Sequence, residues 1–136
     1  MISSKLLRAF EETHYIVHHQ PPFTLRIGQH STELDALLGA LGQDCAAFIT
    51  AWNPMSEITP DAENHLHQQK LLDELTLKGL SHLPGIGQHP SNNWPGEESL
   101  LILGLELNDA RVMARAFHQL AFVWGEKHCP IQVIET

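Results

Sequence analysis

Apolar and polar positions alternate along this chain in two distinct periods. "STELDALLGAL" (31–41) sets Leu34, Leu37, Leu38 and Leu41 on one stripe, which predicts a helix with Ser31 as N-cap and Gly42 as stop. "TPDAENHLHQQKLLDELTLKG" (59–79) predicts a second helix, opening on a Thr cap with Pro60 at its first position and ending at Gly79. Two shorter helices are expected: residues 3–12, with Leu6, Leu7 and Phe10 at helical spacing, and a segment from the Asn108 cap to about Gln119. "HYIVHH" (14–19) and "FTLRI" (23–27) are rich in β-formers and read as a hairpin or bent pair. "CAAFITAW" (45–52) and "ESLLILGL" (98–105) are nearly continuous apolar runs, the pattern of strands buried on both faces. "LSHLP" (80–84), "AFVWG" (121–125) and "IQVIE" (131–135) complete the strands. "GIGQHPSNNWPG" (85–96), rich in Gly, Pro and Asn, reads as a long loop.

From residue 45 to 125 the order is β-α-β-β-α-β, the split βαβ arrangement of ferredoxin-like proteins. The expected fold is therefore α+β: a ferredoxin-like α/β sandwich with a mostly antiparallel sheet, an added N-terminal helix and a hairpin. We expect one domain over residues 1–136. It comprises an N-terminal part (1–44), the βαββαβ unit (45–125) and a C-terminal strand (126–136). In that topology strands 45–52 and 98–105 are central antiparallel neighbours, with helices 60–78 and 109–119 on one face.

One end of this pair attracts attention. The apolar run stops at Trp52-Asn53-Pro54, beside the start of the other strand at Glu97-Glu98-Ser99. On helix 60–78, Leu71, Leu72 and Leu75 define the buried face, and Asn64 and Gln68 fall on that same face toward the N-terminus. A buried amide without partners costs about 1–3 kcal/mol, so these two need a role. Thr50, Trp52, Asn53, Asn64, Gln68, Trp94, Glu98 and Ser99 form the candidate site, with the two indoles as apolar walls. The plain alternative is that Asn53-Pro54 initiates a turn and the two amides hold loop 85–96. Glu97 and Glu98 alternate along a strand onto opposite faces, against a paired-carboxylate mechanism. Ser99 lacks a GxSxG context.

Composition narrows the function classes. Of the 136 residues, 43% are hydrophobic and 18% charged, as in ordinary globular domains. Sixteen acidic residues against eight basic ones give a net charge of −8, unsuited to a phosphate backbone, so no nucleic-acid partner is expected. No apolar run approaches the roughly 20 residues that span a bilayer. "MISSKLLRAF" lacks the apolar core of a signal peptide, and Cys45 and Cys129 form no CxxC motif. A cytoplasmic protein with reduced thiols, no membrane partner and no cofactor is expected. Histidine is abundant, ten in all, but no ligand spacing recurs, so no specific metal site is expected.

With "FTLRIG" (23–28), "FITAWNP" (48–54), "WPGEESLLILGL" (94–105) and "AFVWGE" (121–126) together, the chain resembles a family of small, mostly bacterial proteins, the domain-of-unknown-function family 3293 (DUF3293). The resemblance spans about residues 14 to 126. It implies a stand-alone bacterial domain and carries over no activity, ligand or catalytic residue. Two functions remain open. One is a site for a small polar ligand at the end of strand 45–52, with no reaction assigned. The other is a non-catalytic interaction or homodimerisation module, since Leu66 and Leu77 lie away from Leu71 and Leu75 and need a second cover.

Overall fold

Strands buried on both faces need neighbours on both edges and cover above and below, and the fold supplies all four. The computed structural model describes residues 2–91 and 95–136. Its helices are α1 (Ser4–Glu12), α2 (Thr32–Leu41), α3 (Asp61–Lys78) and α4 (Leu107–Ala116). Its strands are β1 (His14–Val17), β2 (Phe23–Leu25), β3 (Cys45–Ile49), β4 (His82–Gln88), β5 (Glu97–Leu103), β6 (Ala121–Glu126) and β7 (Gln132–Glu135). They form one seven-stranded sheet in the order β2-β1-β4-β5-β3-β6-β7, with every neighbouring pair antiparallel.

The expectation for the two apolar runs is met: β3 and β5 are adjacent, antiparallel and central, with Phe48 opposite Leu101. The sheet is larger than a four-stranded ferredoxin-like unit, because β1, β2 and β7 extend it on both sides. It also curls into a half-barrel. Residues just after β2 and just before β7 meet through an Ile27–Ile131 bridge, where Gly28 N–H donates to Ile131 O (2.8 Å) and Ile131 N–H to Gln29 O (3.0 Å).

Strand alternation sorts the core into two layers. Ala47 and Ile49 of β3 and Leu100 and Ile102 of β5 face Leu71 and Leu75 of α3 and Ala110, Met113 and Ala114 of α4. On the other face Ala46, Phe48, Leu101 and Leu103 pack with Tyr15, Val17 and Leu25, under Leu34 and Leu38 of α2 and Phe10 of α1. Helix α1 thus lies on the side opposite α3 and does not cover Leu66 and Leu77, which stay exposed.

Several boundaries differ from expectation, each for a local reason. Residues 85–88 are strand, not loop: Gly85 and Gly87 pair with Val17 and Tyr15 of β1. At Gly85 the lack of a side chain permits close approach of Ile16 O and the Phe48 ring rather than a turn. Thr59 does not cap α3. Its hydroxyl donates to Glu57 O (3.0 Å), and Pro60 holds the N-cap position. Helix α4 starts at Leu107, with Glu106 rather than Asn108 at its N-cap. Leu41 of the α2 stripe is exposed. Cys45 and Cys129 are both free thiols. Among the described residues, no helix is long and apolar enough to cross a membrane.

Candidate functional site

Beyond Ile49 the backbone leaves the β ladder, and its polar groups must find other partners. Side chains supply them. Thr50 Oγ1 accepts from Trp52 N–H (3.0 Å) and donates to Glu98 O (2.5 Å). Gln68 Oε1 accepts from Ala51 N–H (3.0 Å), and Gln119 Nε2 donates to Trp52 O (3.1 Å). Asn64 is the hub. Its Oδ1 accepts from Asn53 N–H (2.8 Å), and its Nδ2 donates to Asn53 Oδ1 and to Thr59 O, each at 3.0 Å. Asn53 Oδ1 also accepts from Thr59 N–H (3.0 Å).

Four side-chain amides therefore fix segment 51–59. That segment is strained: Asn53 (φ 47°), Met55 (φ 59°) and Ser56 (φ 58°) all occupy left-handed backbone. Asn tolerates this region; Met and Ser adopt it less readily. Strain of this kind survives only where the surroundings over-determine it, and it concentrates at functional sites.

Asn53 links the clasp to an open space. Its Nδ2 donates to Glu97 Oε2 (2.9 Å). Both residues line a cavity of about 410 Å³ on the Phe48 face of the sheet, under α1. Phe10, Tyr15, Phe48 and Trp52 supply aromatic walls, while Thr50, Asn53, Glu97, Ser99 and Gln119 supply polar groups. Lys5, Arg8 and Glu12 of α1 and His89 and Ser91 also border it. A groove of about 480 Å³ between α3 and α4 is slightly larger. There Glu74 and Lys78 pair with each other at 3.5 Å beside aliphatic walls, without a buried polar cluster. The Phe48 cavity is the stronger candidate, since it joins an apolar body to convergent polar groups.

Burial shifts two groups in this cavity. Desolvation pushes the Glu97 carboxyl above its ordinary value, and the Asn53 amide opposes this in part. Desolvation also raises the Tyr15 phenol, which stays neutral and donates to Phe10 O (2.7 Å), tying β1 to α1. Ser99 Oγ donates to Glu97 O (3.0 Å), a backbone carbonyl that cannot act as a base, so this geometry does not activate it as a nucleophile.

Of the candidate residues read from the sequence, Thr50, Trp52, Asn53 and Ser99 line the cavity. Asn64 and Gln68 are buried in the clasp behind it, and they hold segment 51–59 rather than loop 85–96. Glu98 points outward, its carboxylate 3.8 Å from His65, whose ring meets Trp52 edge-on with centroids 5.0 Å apart. Alternation along β5 is as expected but with the other phase, so Glu97 shares the cavity face with Ser99. Trp94 lies outside the described residues. Tyr15, Phe48 and Gln119 are not singled out by the sequence, and Glu97, placed at this end of the sheet, stands outside the candidate set in favour of Glu98. Only Glu97 carried a signal there, through its i, i+2 relation to Ser99.

The raised Glu97 carboxyl sets the sign of a pH effect. Below its ordinary value of 4.5 it is protonated in both the folded and the unfolded chain. Between that value and its higher folded value, the folded chain keeps a proton that the unfolded chain has lost, so stability falls as pH rises through this window. Glu97→Gln removes this contribution. The variant should gain urea resistance relative to the parent as pH rises above the ordinary value of 4.5. A stability difference that stays constant across that window would contradict the assignment.

Residues 49–122 match the family described as "Protein of unknown function (DUF3293)". No curated protein and no solved structure matches the chain. The matched segment runs from the last residue of β3 into β6 and contains the whole amide clasp together with Glu97 and Ser99. It covers more than half of the sequence, and the chain belongs to the DUF3293 family.

Proposed function

We propose that this domain binds a small molecule in the Phe48 cavity. The supporting observation is the placement of Glu97: a partly buried carboxyl among aromatic walls, held by Asn53 at the end of β3. The ligand is small, with a flat apolar body for Tyr15, Phe48 and Trp52. It carries a polar, hydrogen-donating end, such as a primary amide, for Glu97 and the nearby Thr50 and Ser99 hydroxyls. This refines the expected polar ligand, because the walls are mostly carbon. The strand order β4-β5-β3-β6 supports reading the scaffold as a ferredoxin-like unit carrying added strands. The net charge of −8 disfavours nucleic acid. Two free cysteines suit a reducing cytoplasm.

The test is Trp fluorescence during titration with benzamide, and with toluene as the body lacking a donor. Benzamide should change the emission and toluene should bind more weakly. Glu97→Leu should erase the difference between them. Equal responses to both probes, or an unchanged preference in Glu97→Leu, would rule out Glu97 as the recognition group. A second reading, self-association through α3, rests on exposed Leu66 and Leu77 and is independent of Glu97.

A further inference from the structure

Away from the cavity, the seam of the half-barrel carries a second cluster. His30 precedes the Ser31 N-cap of α2, Asp35 lies in the first turn of that helix, and His128 sits in the β6–β7 turn. His30 Nε2 lies 2.5 Å and His128 Nδ1 3.3 Å from the same atom, Asp35 Oδ2. One ligand atom from each residue lies within 4.8 Å of the other two. We propose that His30, Asp35 and His128 form a site for one divalent transition ion of the zinc class.

The donor set favours that class. Two imidazoles and a carboxylate suit zinc and its borderline neighbours, whereas calcium and magnesium call for more oxygen ligands. Bonds of about 2.0–2.2 Å to tetrahedral zinc place ligand atoms roughly 3.5 Å apart. The His128–Asp35 separation already fits. The His30–Asp35 contact must open by about 1 Å, which rotation of an exposed imidazole provides. The fourth position faces solvent and takes water.

The backbone under the cluster is set before any ion arrives. His128 N–H donates to Asp35 Oδ1 (3.0 Å), His30 bridges Pro130, and Ile27 bridges Ile131. His128 holds left-handed backbone at φ 68°, a conformation that histidine adopts more readily than most residues, with its ring beside Asp35. The ion would join two segments 93 residues apart in sequence, at the place where the sheet edges meet. A spacing search along the chain misses such a set because its members are distant in sequence.

The test uses the untagged full chain and calorimetric titration with zinc chloride. One equivalent should bind and raise the thermal midpoint, while calcium and magnesium should do neither. His128→Gly suits the left-handed turn while deleting a ligand, and His30→Gln deletes the other imidazole. Each should weaken zinc binding by about tenfold or more and cancel the thermal shift. His65→Ala should change neither. Absence of one-equivalent binding, or full binding in His128→Gly and His30→Gln, would overturn the site. So would preference for calcium over zinc.

Discussion

Replacing Asn64 by leucine should lower the urea midpoint of this domain sharply. Asn64 is 1% exposed, and its amide makes three hydrogen bonds, to Asn53 N–H, Asn53 Oδ1 and Thr59 O. Leucine fills much the same volume but meets none of them. Each buried group left without a partner costs about 1–3 kcal/mol, so a loss of roughly 3 kcal/mol is expected. Gln68→Leu deletes one bond, to Ala51 N–H, and should cost about 1–2 kcal/mol. The ranking matters as much as the size. An amide that served only a ligand would leave stability unchanged or raise it when replaced by leucine, because an unpartnered polar group is relieved. The clasp predicts destabilisation by both changes, larger at Asn64, with segment 53–59 newly open to protease in the Asn64 variant. Two stabilised variants would refute the clasp.

The sequence alone favours the ligand role for these amides, and with it the opposite sign, whereas both are bonded within the protein. The amides are legible as misfits on an apolar helix face, but the groups they satisfy belong to a strained segment whose path no periodicity encodes. The central strands are legible because burial on both faces writes a continuous apolar run, and β3 and β5 are neighbours as expected. The alternation of Glu97 and Glu98 is legible as opposite facing. Which one turns inward depends on phase, and phase is set by pairing, with Glu98 opposite Ile86 and Glu97 opposite Gly87. The cavity is not legible at all, because α1 and β1 build one wall from residues far from the clasp. The "GIGQ" segment misleads because glycine usually signals a turn, whereas here it answers a demand for space.

That demand gives the other large effect. Gly85→Ala should destabilise the domain by about 3 kcal/mol, although alanine suits a strand better than glycine does. The backbone at Gly85 is not left-handed, so conformation is not the obstacle. A Cβ there would lie 2.6 Å from Ile16 O and 2.8 Å from Phe48 Cε2. The carbonyl belongs to β1, which is held to β4 by a four-residue register, and it cannot yield without breaking the ladder. The Phe48 ring can yield, but only by moving within the cavity it lines, so the same variant should change the benzamide response. Combining Gly85→Ala with Phe48→Leu separates the two terms: relief of the ring clash would appear as a favourable coupling, and the carbonyl clash would persist. Gly87→Ala is the internal control. Its Cβ meets Thr13 and Tyr15 side chains at 3.6 and 3.8 Å, ordinary contact distances, and stability there should change by about 0.5 kcal/mol or less. If Gly85→Ala were as mild as Gly87→Ala, β1 and Phe48 could not pack against β4 as closely as described, and the cavity wall they form would have to be redrawn.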